Sequence, residues 1–401
     1  MARCCRAAGL ALLACGASAR AADWEASLDM RLLYSDAYRS FMDGGFGTTR
    51  FDRNDTGLRL GRARLALSAP LGELWSVHFD ASGWDDKDRS PVGVTEAYLQ
   101  FRPYPRAGYR FRLKAGAFYP PISLENRAAG WESPYTLSYS AINTWLGVET
   151  RTIGLEAQLD WLGTRTGHVF DLGVTGGVFG WNEGAGVVLA DNGFMLHDRQ
   201  TPVFGRVGPP GVGVLPFQQF DGRAGVYAGV EGRWLDRVVL RFLRYDNRAD
   251  ATSMDTVSGA IAWNTRFNSA GLRIESGTGW TGIVQWLQGE TYIEPAPGLD
   301  LAWPFRAQFA LLSKRLGRQT LSARYDRFEV DSNIPDGDGR QLGHAWTAAW
   351  MFETRAHWRL ALEWLRVRSS SYNRAELGGP PLATETQLQL AVRYAFGSAV
   401  P

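Results

Sequence analysis

Five basic side chains, Arg62, Arg64, Arg102, Arg112 and Lys114, form the most concentrated chemistry in the chain. They fall on neighbouring short segments that alternate apolar and polar residues, so in an extended chain they project to one side. A guanidinium forks onto carboxylate or phosphate oxygens, and a cluster of fixed cations in a confined space concentrates anions. Arg223, Arg233, Arg241, Arg273, Arg306, Arg324 and Arg393 extend this basic series more sparsely. Acids on the same side, Asp80, Glu96, Glu156, Asp160 and Glu231, are available to pair with them. Net anion preference and internal neutralisation are therefore both open.

A second group lies in residues 120–146: Glu125, Arg127, Trp131, Glu132, Tyr135 and Tyr139, with Trp145. Charged groups on such a loop can line a constriction, and the three aromatics Trp131, Tyr135 and Tyr139 offer flat faces to sugar rings. Ordinary loop packing is the alternative for each of them. The five histidines, His78, His168, His197, His344 and His357, show no metal-ligand spacing. Ser76, His78 and Asp80 hint at a triad. On one strand, however, neighbours at i and i+2 stand about 7 Å apart, too far for proton relay. The acidic stretch DSNIPDGD (331–338) reads as solvated charge before it reads as a calcium loop. No metal, cofactor or enzymatic activity is expected.

Positioning side chains this way requires strands. QLQLAVRYAF (387–396) puts Leu388, Leu390, Val392, Tyr394 and Phe396 on one face and Gln387, Gln389, Ala391 and Arg393 on the other. The same period of two recurs at Phe111, Leu113, Ala115 and Ala117 against Arg110, Arg112 and Lys114, and at Ala224, Val226, Ala228 and Val230 against Tyr227, Glu231 and Arg233. It recurs again at Phe305, Ala307, Phe309 and Leu311 against Arg306 and Gln308, and at Leu321, Ala323 and Tyr325 against Ser322, Arg324 and Asp326. Sixteen such segments are predicted, starting near Trp24, Gly57, Leu74, Gly93, Tyr109, Val148, Gly167, Gly222, Asp236, Ile261, Thr278, Trp303, Arg318, Leu342, His357 and Thr384.

Their connections alternate in length. Short ones lie around 70–72, 103–108, 162–166, 235, 276–277, 317 and 353–356. Long ones lie around 35–56, 85–92, 120–147, 182–221, 247–260, 294–302, 331–341 and 369–383. A soluble sandwich has no reason for that asymmetry. A transmembrane antiparallel barrel with short periplasmic turns and long extracellular loops does, and with sixteen strands it is too wide for side chains alone to fill. Trp75, Trp84, Trp161, Trp181, Trp234, Trp303 and Trp358 fall near strand ends, where some are expected to form an interfacial girdle and others to pack loops. VGPPGVGVLP (207–216), in the longest loop, is a candidate to cover the mouth or meet a neighbouring protomer, with a solvated surface loop as the alternative.

The first 21 residues read as an export signal: Arg3 and Arg6, the apolar run AAGLALLA, and Ala19-Arg20-Ala21 before the expected cleavage. A lipidated Cys15 is the alternative. Residues 22–401 are then the barrel. All three cysteines (Cys4, Cys5 and Cys15) belong to the signal, so the barrel segment carries no thiol. Removing Arg3, Arg6 and Arg20 takes the formal charge from +2 to −1, which leaves no net basicity for nucleic acid.

RARLALSAPLGELWSVHFDAS (62–82), VTEAYLQFRP (94–103), FRLKAGAFYPPISLE (111–125) and ETRTIGLEAQL (149–159) together resemble the phosphate-selective porin O/P family. The final strand also resembles the signal read by the outer-membrane barrel-assembly machinery. The resemblance implies a homotrimer of sixteen-stranded channels with arginines along the pore and an inward-folded loop at the constriction. Tyr119 stands before Pro120 where that family commonly has a basic residue, and Lys87, Lys114 and Lys314 are the only lysines. The expectation is an outer-membrane porin passing small hydrophilic solutes, with anions favoured. The alternatives are a channel selective for sugars or organic acids, and a plugged structural or adhesion barrel.

Overall fold

The computed structural model describes residues 22–85, 91–207, 215–256, 259–354 and 357–398. The export signal with Cys15, Lys87, and most of the VGPPGVGVLP stretch lie outside them. The strands are β1 (Asp23–Ser35), β2 (Gly57–Leu71), β3 (Trp75–Gly83), β4 (Val92–Phe101), β5 (Tyr109–Phe118), β6 (Thr152–Trp161), β7 (Phe170–Gly180) and β8 (Gly225–Trp234). They continue as β9 (Val238–Asp246), β10 (Asn264–Glu275), β11 (Trp280–Ile293), β12 (Leu301–Leu316), β13 (Gln319–Val330), β14 (Gln341–Glu353), β15 (Trp358–Ser371) and β16 (Leu382–Gly397). Each begins within four residues of its expected start.

Every strand pairs antiparallel with its sequence neighbours, and β1 pairs with β16 to close the barrel. Closure leaves no unpaired edge, which is what a sheet needs where water cannot satisfy backbone groups. Register breaks at Asp29/Met30 and at Asp80/Ala81 mark local irregularities in β1–β2 and β3–β4. One rim carries an aromatic cluster of Trp24, Trp358, Tyr394 and Phe396, with Trp75 against Phe101 and Trp161 against Phe170 further round. Trp84 and Trp303 are instead buried: Trp84 lies under the Arg62 and Arg199 guanidiniums, and Trp303 packs on Trp263.

The packed core sits inside the barrel. The long connections after β5 and β7 (residues 119–151, called L3, and 181–224, called L4) turn inward over their described residues. They carry the helices α1 (Ala141–Glu149) and α2 (Val187–Asn192). A third short helix, α3 (Tyr372–Glu376), opens the loop after β15.

The inward loops correct the reading of β12. Phe305, Ala307, Phe309 and Leu311 are buried in the lumen, and Arg306 and Gln308 are exposed on the outer face. Period two assigns residues to two faces without saying which face meets lipid. Here the lumen is apolar because Trp145 of L3 and Phe194 of L4 pack against that wall, with Trp145 5.0 Å from Phe305 ring to ring. Arg223 also leaves the inward series: it is exposed, precedes β8, and pairs with Asp250 at 2.7 Å. Arg102 stands just beyond the end of β4, exposed on the turn.

Candidate pore-lining site

L3 is built to cross the lumen. Ser140 caps α1, its Oγ accepting from the Asn143 N–H, and every residue of α1 is buried. On the side of β13–β15, Arg324 is fully buried. It donates to Glu125 at 2.7 Å, Asp326 at 2.8 Å, and the carbonyls of Ser138 (2.8 Å) and Tyr139 (2.9 Å). Asp326 accepts the Ala141 N–H at 3.0 Å, and Glu363 of β15 accepts the Ser138 N–H at 2.9 Å. These bonds satisfy backbone groups that an inward loop would otherwise bury unpaired.

The other anchor is Glu132, set among Arg62 at 2.9 Å, Arg359 at 3.7 Å, and Arg393 in direct contact. Burial alone would raise its carboxyl. The surrounding Arg393, Arg62 and Arg359 instead hold it well below the usual carboxylate range. Trp131 stacks on Tyr119 with ring centroids 4.1 Å apart and meets Tyr139 edge-on. Tyr135 and Tyr139 are buried, so these aromatics pack the loop. Arg127 reaches the half-buried Glu275 of β10.

L4 reinforces L3. Glu149, at the end of α1, accepts from Trp145 Nε1 at 2.7 Å and from the N–H groups of Val188, Leu189 and Gly186 at 2.8, 3.1 and 3.2 Å. It thereby caps α2. No cation stands among those partners, and burial pushes its carboxyl up to about 7 against the pull of its N–H donors. Gly186 has φ +104°, and a Cβ there would lie 2.1 Å from Thr291 Oγ1, so only glycine fits. Asp198 of L4 meets Arg31 and Arg50. Its carboxyl would rise through burial, yet Arg31 and Arg50 hold it down at about 2. Sequence reading missed Asp29, Arg31, Arg50, Asp198 and Glu363. The inward parity of Asp29 and Arg31 with Gln387 and Gln389 was a usable signal, whereas partners on loops had none.

Toward the short-turn end the lumen is wetter and more basic. Arg112 and Lys114 of β5 keep 26% and 24% of their side-chain surface exposed. They line a cavity of about 240 Å³ with Glu156, Glu231, Arg233 and Arg241. The acids here are shared. Asp160 meets Arg110 at 2.9 Å and Arg112 at 3.3 Å, Glu231 contacts both Arg233 and Arg241, and Glu275 contacts both Arg127 and Arg273. Lys114 pairs with Glu156 at 3.3 Å. Arg62 and Arg64 join a separate, buried network through Asp80, with Arg64 also reaching Glu25 at 2.6 Å. The structure thus divides the expected basic cluster into two networks.

The triad hint resolves otherwise. His78 Nδ1 lies 3.0 Å from Ser68 Oγ across the β2–β3 pair, while Asp80 is engaged by Arg64 and Thr95. Asp43, Asp52 and Asp55 form a carboxylate group with metal-ligand spacing. Within it Asp55 is held by Arg59 at 2.6 Å, and Asp52 accepts backbone N–H groups of Ser40 and Asn54.

Against solved structures the chain aligns over 94% of its length. With the outer membrane channel DcaP of Acinetobacter baumannii it shares 10% identity and a TM-score of 0.55, covering 97% of that chain. With OmpF of Salmonella typhi it shares 9% identity and a TM-score of 0.55, again over 97%. With OmpT of Vibrio cholerae, described as an outer membrane protein in trimer form, the figures are 10% identity, 0.53, and 99%. The fold is that of outer-membrane channels. No family model and no curated protein matches the sequence.

Proposed function

We propose that this protein is a non-enzymatic porin of the bacterial outer membrane, reached by cleavage of an N-terminal export signal. It passes small hydrophilic solutes down their gradients and favours anions. The observation that carries anion preference is the stoichiometry of the wetter end of the lumen. Arg110, Arg112, Lys114, Arg127, Arg233, Arg241 and Arg273 stand there against Asp160, Glu156, Glu231 and Glu275, with Glu96 near Lys114 and Asp171 opposite Arg233, seven cations to six carboxylates. Sharing one acid between two guanidiniums fixes their geometry and leaves net positive charge facing water. A phosphate-like solute suits forked guanidiniums, and the sequence resemblance to phosphate-selective porins points the same way. A homotrimer fits both that resemblance and the trimeric OmpT neighbour.

Reversal potential of single channels in a potassium chloride gradient tests this reading. Chloride preference that weakens in Arg112→Gln/Arg241→Gln supports it; cation preference refutes the anion claim. One observation favours a second reading, a plugged barrel: L3 and L4 pack apolar side chains across the half of the lumen next to the long loops. Correct insertion without current selects that reading.

A further inference from the structure

The outer wall holds a charge pattern that the channel reading does not use. Arg327 of β13, His344 of β14 and Arg368 of β15 lie directly opposite one another in the registers of three adjacent strands. All three side chains point outward, and both arginines are exposed. Arg366, also exposed and outward, stands two residues from Arg368 opposite Trp346. Among the described residues, Arg327, Arg366 and Arg368 have no carboxylate partner. By contrast, the nearby outward arginines Arg306 and Arg266 are matched by Glu329 and Glu290. The cross-strand neighbours of Arg327, Arg366 and Arg368 are Gln308, His344, Trp346, Thr384 and Thr386. Like charges gathered on one face without a counter-charge repel one another unless an anion bridges them.

The position of the row narrows the anion. One step along the strands toward the short turns, Tyr325 and Trp346 pack ring to ring at 4.8 Å, with Trp364 one step further on. Below these the outer face is apolar: Ala323, Leu321, Ala348, Leu362 and Leu388. Aromatics followed by cations mark the passage from hydrocarbon to headgroups. Beside Arg327 a recess of about 260 Å³ on the same face is lined by Trp286, Gln288, Arg306, Gln308 and Glu329. Elsewhere the wall differs: Leu155, Val174, Val178, Val226 and Val230 keep the outer face of β6–β8 apolar.

We propose that the outward face of β13–β15 binds a phosphorylated glycolipid of the outer leaflet. Arg327 and Arg368 converge on one phosphate across His344, Arg366 supports it, and the recess takes an adjoining sugar. Arg327 and Arg368 stand two strand spacings, about 10 Å, apart, within reach of two arginine side chains closing on a shared anion. The proposal rests on the outer-membrane reading above.

The test uses the full-length protein in phosphatidylcholine nanodiscs doped with diphosphorylated lipid A or with the same lipid stripped of phosphate, and native mass spectrometry counts retained lipid. The wild type should retain the phosphorylated lipid and release the stripped one. Arg327→Gln/Arg368→Gln should lose retention roughly tenfold or more, while the matched pair Arg266→Gln/Glu290→Gln, outside the recess, should stay within about twofold of wild type. Inorganic phosphate at millimolar concentration should not displace the lipid. Equal retention by the arginine double variant, or full displacement by inorganic phosphate, overturns the site. So does a change in protomer number with lipid retention intact, which would make the row a contact between copies. Conductance is read on the same samples: current without lipid discrimination sinks this site alone, and failure to insert sinks the membrane reading with it.

Discussion

Replacing Glu132 by glutamine removes the charge that fastens L3 to β2, β15 and β16 while keeping the side chain's size and its ability to accept hydrogen bonds. Three guanidiniums surround it, Arg62 at 2.9 Å, Arg359 at 3.7 Å, and Arg393 in contact. At an effective dielectric of about 20 these two distances give attractions of about 6 and about 4.5 kcal/mol, but desolvation of the ions cancels much of the sum. Breaking one member of a buried pair typically costs about 3–5 kcal/mol. Arg393 keeps Asp29 at 3.2 Å and Arg62 keeps Asp80 at 3.8 Å, so the expected loss lies at the lower end, about 3 kcal/mol. Equilibrium urea unfolding in lipid would be measured for Glu132→Gln, Arg393→Gln and the double variant. The coupling between the two sites should exceed about 1 kcal/mol, above the few tenths expected of independent sites. One negative charge fewer in the lumen should also move the reversal potential further toward chloride. Additive single effects together with an unmoved reversal potential would refute both the anchoring role of Glu132 and the charge account of selectivity.

The inverted face of β12 is tested in a barrel segment without cysteine by placing one at Phe305 or at Arg306. A membrane-impermeant maleimide should label Arg306→Cys in the inserted protein and leave Phe305→Cys unmodified; the opposite pattern restores the sequence-based assignment. Phe309→Ala opens a cavity under the L3–L4 packing and should cost about 3–5 kcal/mol in the same unfolding assay. Glu149 provides a pH test. Its folded carboxyl is raised to about 7, so its contribution is complete below the unfolded value near 4.3 and is lost as pH rises through 7. Hydrogen exchange in α1 and α2 should therefore quicken between pH 5 and pH 8 in the wild type, and Glu149→Gln should flatten that dependence.

The sequence by itself determined the strand number, the alternation of short turns with long loops, and nearly every strand start, because pleat and turn chemistry are local. The sixth start came latest against expectation, at Thr152, since Val148 belongs to α1 and its apolar neighbours serve a buried helix. The inward fold of L3 was expected only from the family resemblance, while Glu125 and Glu132 were legible in the sequence as its charged members. Their partners were not: Arg324 lies 199 residues from Glu125, and Arg393 lies 261 from Glu132. Only closure of the barrel brings such residues together. The same holds for β12, whose two faces the sequence separated without orienting them. Which face is lumen depends on what fills the lumen, and Trp145 and Phe194 reach that wall from loops belonging to other strands. Tertiary structure likewise decided that Arg62 and Arg64 neutralise a buried network while Arg112 and Lys114 face water. Burial and pairing belong to the enclosed volume, and a linear pattern of charges does not contain them.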